Sequence, residues 1–167
     1  TVGRKGSLWK ISMQFNNLTG ADRATMQAFL AKLNGQQHRF YVQDHGYTLR
    51  GTAPDTPDNL QVAGAGQTGT TLNANGASNS RSGYLTAGDY VAFNNELHIV
   101  TDICSSSSSG TITIPIAPPI RKPTPNNSVI TYIAPKGVFM LTSSASWDTK
   151  PGLVSSFTVE GVEDVLA

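Results

Sequence analysis

Between Ser7 and Val42 three patterns follow one another with almost no connecting residues, and they restrict the fold more than any other stretch of the chain. SLWKISMQF alternates Trp9, Ile11, Met13 and Phe15 with Lys10, Ser12 and Gln14, the two-residue period of a strand with one apolar face. In NNLTGADRATMQAFLAKLNG, Met26, Phe29, Leu30 and Leu33 fall at i, i+3, i+4 and i+7, one stripe of an α-helix. Thr19 is placed to cap that helix, Asp22 to oppose its positive end, and Gly35 to close it in a left-handed conformation, so the spacing predicts a helix over about 20–34. RFYVQ then restores alternation through Phe40 and Val42. A strand, a helix and a strand joined this closely are expected to lay the helix across a sheet that both strands share.

The rest of the chain reads as β structure broken by turns. After a loop rich in Gly, Pro and Asp (Gln43 to Asn59), LQVAGAG, TGTTLNANG, GYLTAGDYVAF, ELHIVTDI and GTITIPIA are short β-type segments separated by glycine-bearing turns. Leu60 to Ala117 is therefore expected to be an inserted β-module, a small barrel or sandwich. Gly88-Asp89 and Asn94-Asn95 are turn signals around YVAF and ELHIV, which read as a hairpin. The run Ser105 to Ser109 reads as a mobile loop. Pro115, which has no N–H for a ladder, predicts an edge strand, and the prolines from Pro118 to Pro125 predict a stiff return link exposing Arg121 and Lys122. VITYIA, GVFMLTSS and LVSSFTVEGVE supply further strands, expected to rejoin the opening unit. The fold class that follows is mainly β with one α-helix: a β-sandwich lobe with a flanking helix, from 1–52 and 120–167, and an inserted small β-barrel or sandwich over 53–119.

Composition narrows function mainly by exclusion. Twelve Lys+Arg against eleven Asp+Glu give a formal charge of +1, so no broad attraction to nucleic acid or anionic lipid is expected. Cys104 is the single cysteine, which excludes an internal disulfide and a zinc signature. No run approaches the roughly 20 apolar residues of a membrane-spanning helix. The chain starts at Thr1, so a preceding segment or processing is expected.

Gly64-Ala65-Gly66-Gln67-Thr68-Gly69 matches the dinucleotide pattern G-x-G-x-x-G, with Asp89 at the distance of a ribose ligand. A helix must follow those glycines, whereas Thr70 to Asn73 continue as strand, so a turn between strands is expected instead. His38, His45 and His98 lack metal-ligand spacing, and Cys104 near His98 reads as a half-buried thiol rather than a nucleophile. Glu160, Glu163 and Asp164 read as a solvated tail. No catalytic, cofactor or metal residue is assigned.

The order of features, from W-x-I-x-M-x-F through a helix ending AFLAKLNG, RFYV, VAGAGQTGTTL, LTAGDYVAF, LHIVTD and GTITIPIAPPIR to PKGVFML, resembles tail proteins of long-tailed bacteriophages, the distal tail proteins above all. The likeness runs from about Trp9 to Glu160. It implies a structural virion protein without enzymatic activity, assembled in the host cytoplasm. That protein would form a homo-oligomeric ring, usually a hexamer, joining the tail tube protein to the hub or tip and to receptor-binding proteins. Carried onto this chain, Trp9 to Val42 with Val129 to Val162 would form the ring, and Leu60 to Ala117 would project from it. Lys10, Ser12 and Gln14 on the strand, and Gln27 and Lys32 on the helix, are then expected to meet a neighbouring subunit. The alternative is a carbohydrate-binding β-module, with Tyr84, Tyr90 and His98 as exposed rings that stack on sugars.

Overall fold

The computed structural model describes residues 8–143, 146–150 and 154–164. The chain is mainly β with one helix. Its elements are β1 (Lys10–Leu18), α1 (Gly20–Leu33), β2 (Phe40–Val42), β3 (Gln61–Val62), β4 (Gly69–Asn75), β5 (Tyr90–Phe93), β6 (Glu96–Val100), β7 (Ile112–Ile120), β8 (Gly137–Leu141), β9 (Ser146–Lys150) and β10 (Val154–Glu163). They form two compact units, Leu8–Tyr41 with 138–164, and Val42–Gly137.

In the first unit the strand order is β1-β10-β8-β2, with β9 also paired to β10. β1 runs antiparallel to β10 from Lys10 opposite Val162 to Phe15 opposite Phe157, and then Leu18 stands opposite Ser155. Three steps along β1 thus match two along β10. Asn17, at φ 58°, absorbs the extra residue in a left-handed conformation that asparagine tolerates, so Phe15 and Leu18 are offset from strict alternation. The helix buries Leu30 and Leu33, while Phe29 meets Phe40 edge-on at 6.0 Å and Phe40 lies 6.4 Å from Phe139. Thr19 has the extended backbone of an N-cap, but its side chain makes no capping hydrogen bond; at the other end Asn34, at φ 46°, takes the left-handed cap position one residue before Gly35. Arg39 holds the helix exit, pairing with Asp164 and donating to the carbonyls of Gln36 and Gln37.

The second unit is a five-stranded sheet, β3-β4-β7-β6-β5. Residues 127–131 bond to both of its outer strands. Val62 N–H donates to Ser128 O and Asn127 N–H to Val62 O on one side, while Ala92 and Thr131 exchange N–H···O bonds of 2.8 Å on the other. That segment closes the sheet into a small barrel and removes its open edges. VITYIA, expected to return to the opening sheet, supplies this closure. The core holds Leu60, Val62, Leu72, Leu85, Ile114 and Ile116, each essentially inaccessible. At about 1.5–3 kcal/mol per buried aliphatic side chain, such a cluster is the main source of stability for a unit this size.

Three local expectations are corrected here. β7 is the central strand, not an edge, despite Pro115. Its ladder with β4 is regular from Ile112 to Pro115 and then shifts register before Ile120 stands opposite Gly69, while Ile116 and Ala117 pair with β6, so the proline sits at an irregularity of the β4 ladder where its missing N–H costs little. Arg121 is buried, not exposed, because the segment after β7 packs onto a buried carboxylate described below. The serine run is tied down: Ser106 Oγ accepts from Arg81 N–H at 2.9 Å, Ser105 Oγ from Gly83 N–H at 2.9 Å, and Ser107 Oγ bonds Thr111 Oγ1 at 2.7 Å. A run poor in apolar residues is held here by its hydroxyls.

Candidate functional site

Lys10, Ser12 and Gln14 are exposed, alternating along β1 with the half-buried Ile11, Met13 and Phe15. They stand opposite Val162, Glu160 and Thr158 of β10, so Ser12 and Gln14 form an exposed polar patch with Glu160 and Thr158 while Lys10 lies beside the half-buried Val162. On the helix Lys32 is exposed in the last turn and Gln27 is half-buried. Glu163 and Asp164 are not a solvated tail: Glu163 closes β10 with its carboxylate 3.3 Å from Trp9 N, and Asp164 meets Arg39. Glu160 alone of the three is exposed.

The proposed sugar-stacking rings do not form a surface. Tyr84 and His98 are both 0% exposed, and Tyr90 is half-buried and edge-on to Tyr47 at 5.3 Å. Tyr84 and His98 each join an interior polar network of the barrel instead, and a third is built on Asp89.

In the first network, Asp58 Oδ2 accepts from Ser78 N–H (2.6 Å), Ser78 Oγ (2.7 Å) and Tyr84 Oη (2.8 Å), while Asp58 N–H donates to Tyr132 Oη. Burial raises the Asp58 carboxyl, but the Ser78 and Tyr84 donors outweigh it and hold the group below its ordinary value. Burial, with Tyr132 and Asp58 beside it, pushes Tyr84 far above the usual phenol range. In the second network, the fully buried Asp89 accepts from the N–H groups of Arg50, Gly51 and Thr86. This carboxylate is spent on three backbone donors, and β4, not a helix, follows Gly64 to Gly69. The glycine pattern is a turn: Gly66 N–H donates to Thr124 O, and Gln67 Nε2 reaches the Ala63 and Asn73 carbonyls.

The third network joins Glu96, His98 and the end of β7. Glu96 accepts from Arg121 N–H at 3.1 Å and Lys122 N–H at 2.9 Å. His98 stacks on Phe93 at 4.7 Å and places Nδ1 2.8 Å from the Pro118 carbonyl; because a carbonyl only accepts, Nδ1 donates to it, and Nε2, 3.4 Å from Glu96, supports the carboxylate when it also carries a hydrogen. Burial alone would raise Glu96, but His98 and the two backbone donors hold its carboxyl below its ordinary value. A depressed carboxyl stabilises the fold above its unfolded value of 4.5, and that contribution is lost as pH falls through the lower folded value. Thermal melts are expected to show the barrel losing stability as the pH is lowered below 4.5, with Glu96→Gln less stable at pH 7 and flatter across that acidic range; a wild-type melt independent of pH there contradicts this network.

Cys104 offers no nucleophile. It is buried, and burial pushes its thiol up to about 11, with Sγ 3.6 Å from Leu85 O. A neutral-pH thiol reagent is expected to leave it unmodified in the folded protein and to label it fully in denaturant; rapid labelling of the native chain would refute its burial. Among the described residues no group of three His, Cys, Asp or Glu is placed to hold a metal, and no helix is long and apolar enough to cross a membrane.

An apolar groove lies in the first unit. Of about 400 Å³, it is walled by Phe15 and Leu18 of β1 and by Met26 and Phe29 of α1, with Asp22 and Thr25 completing its lining. Phe29, the second member of the predicted apolar stripe, is 37% exposed there.

No protein-family model matches the chain, and no curated protein is similar to it.

Proposed function

We propose that this chain is a structural component of a long-tailed bacteriophage tail, resident in the virion and without enzymatic activity. In this reading copies form a homo-oligomeric ring, six-fold in the simplest case, that links the tail tube protein to the hub or tip protein and to receptor-binding proteins. The observation that carries it is the order of elements. A strand and a short strand joined by a helix lie in one sheet with a long C-terminal strand, and the chain between them makes a second, closed barrel unit. Support comes from the polar side chains of Lys10, Ser12 and Gln14, which are exposed in the single chain and available to a neighbour. The carbohydrate-binding alternative is not carried forward, because Tyr84 and His98 are interior.

Negative-stain microscopy of the purified chain, alone and with tail proteins, tests the reading. Closed rings are expected, and a strict monomer in both conditions would remove it. Lys32→Glu is expected to weaken the ring while costing the fold only about 0.3–1 kcal/mol, the value of one charge at a helix C-terminus. Equal losses of assembly and of thermal stability would remove Lys32 from the contact.

A further inference from the structure

Glu96 and His98 are both 0% exposed, and the geometry between them dictates where one hydrogen must sit. His98 Nδ1 lies 2.8 Å from the Pro118 carbonyl oxygen, which only accepts, so that nitrogen donates. Nε2 lies 3.4 Å from Glu96 Oε2. A neutral ring with its hydrogen on Nδ1 would turn the Nε2 lone pair onto the carboxylate oxygen, setting two acceptors face to face in a buried site. The other neutral form would set the Nδ1 lone pair against the carbonyl. Only a hydrogen in the Nε2···Oε2 gap satisfies both ends. That hydrogen belongs to the ring, because Arg121 N–H donates to Oε2 and Lys122 N–H to Oε1, and with His98 they hold the Glu96 carboxyl below its ordinary value.

The groups packed around the pair are mostly apolar. On β5 the residues opposite His98 and Glu96 are Val91 and Phe93, and Phe93 stacks on the imidazole. β7 contributes the Pro118 carbonyl. The exit of β7 adds two cations, the buried and permanently charged Arg121 and the half-buried Lys122. We infer that Glu96 and His98 form a proton-operated latch: while His98 is an imidazolium the pair fastens residues 118–122 to β6, and deprotonation at alkaline pH loosens that segment. The segment leads directly into the closure of the barrel. Thr124 O and Oγ1 accept from Gly66 and Gln67 N–H, Asn126 Oδ1 accepts from Gly64 N–H, and 127–131 join the two outer strands. Loss of the gap hydrogen leaves a buried carboxylate facing a lone pair, and stripping one charge from a buried pair is strongly destabilising. An unfolded histidine gives up its proton at about pH 6.5, so the latch contributes fully to stability below that value and is lost as rising pH deprotonates the folded pair. The latch operates within one chain and is independent of ring formation.

NMR of the full chain carrying nitrogen-labelled histidine tests the hydrogen directly, with His98 assigned apart from the exposed His38 and His45. At pH 7 both ring nitrogens of His98 are expected to carry a hydrogen, and a bare Nε2 would overturn the inference. Glu96→Gln is expected to strip the second hydrogen from His98 at the same pH; a ring that stays doubly protonated in that variant would overturn the pairing. The wild-type spectrum decides the first point even if the variant does not fold. Trypsin reads the release, because the Arg121–Lys122 bond is a tryptic site inside the fastened segment. Relative to a free peptide covering 116–126, cleavage there is expected to rise about tenfold or more from pH 7 to pH 9, the size of one charge-assisted hydrogen bond. Cleavage after the exposed Arg81 of the same barrel is expected to stay constant. Equal rates at Arg121 at both pH values, or equal increases at Arg81 and Arg121, would overturn the latch.

Discussion

Asp89→Ala is expected to destabilise the barrel by about 3–5 kcal/mol, the cost of leaving several buried backbone donors without a partner. The carboxylate is fully buried and accepts from Arg50 N–H at 2.8 Å, Gly51 N–H at 3.1 Å and Thr86 N–H at 2.8 Å, with Tyr47 Oη at 3.4 Å. It ties the loop at 47–51 to the turn that opens the β5–β6 hairpin, so its loss is expected to free a whole loop rather than one contact. Asp89→Asn keeps one acceptor oxygen and is expected to fall between wild type and alanine. Urea unfolding followed by a probe in each unit measures this. The transition of 42–137 is expected to move to lower urea while the sheet of β1, β10 and β8 moves little. An unchanged barrel midpoint would mean that Asp89 does not carry the loop. Because domains are stable by only about 5–15 kcal/mol, a loss of this size leaves the barrel marginal at physiological temperature.

Gly76→Ala is expected to cost more than about 3 kcal/mol, for two separable reasons. Gly76 lies at φ 83°, where an L side chain is strained, and a Cβ there would collide with the Asn59 carbonyl oxygen and crowd its carbon at 2.9 Å. Backbone on both sides leaves no flexible group to move aside. Gly64→Ala isolates the first cause: Gly64 lies at φ 95° with nothing within 4 Å of a Cβ, so only conformational strain of about 1–2 kcal/mol is expected. The difference between the two unfolding free energies is the steric part. Equal effects would show that the backbone at 59–60 yields easily.

Both predictions rest on positions that local pattern reading treats as ordinary turns, and that marks what the sequence can and cannot disclose. The helix was legible because Met26, Phe29, Leu30 and Leu33 repeat at helical spacing. The β5–β6 hairpin was legible because Asn94-Asn95 tolerates left-handed backbone, observed at φ 50° and 62°. Alternation also marks two faces of a strand, but not which face turns inward. In ELHIV, hydrophobicity favours burying Leu97 and Ile99, yet Glu96, His98 and Val100 are the buried set. The reversal depends on Arg121 and Lys122 N–H groups that satisfy Glu96 from a distant segment, which no local pattern records. Pro115 misled for a related reason: a proline is excluded from a continuous ladder, and the β4–β7 ladder shifts register beside it. The charged C-terminal stretch read as solvated because Arg39, the partner of Asp164, lies more than a hundred residues away.

The site shows the same division. The exposure of Lys10, Ser12, Gln14 and Lys32 followed from periodicity alone. The groove beside Phe29 did not, because it needs the Asn17 bulge to bring Leu18 and Phe15 beside the helix, and a bulge depends on the partner strand's register.

The proposed assembly of this chain into a phage tail is tested most directly by its stoichiometry and position in the intact particle. Quantitative mass spectrometry of purified tails, with antibody labelling in the microscope, is expected to find a small fixed copy number, six in the simplest case, confined to the junction of tube and tip. Absence of the chain from purified particles, or a copy number that scales with tail length, would contradict it.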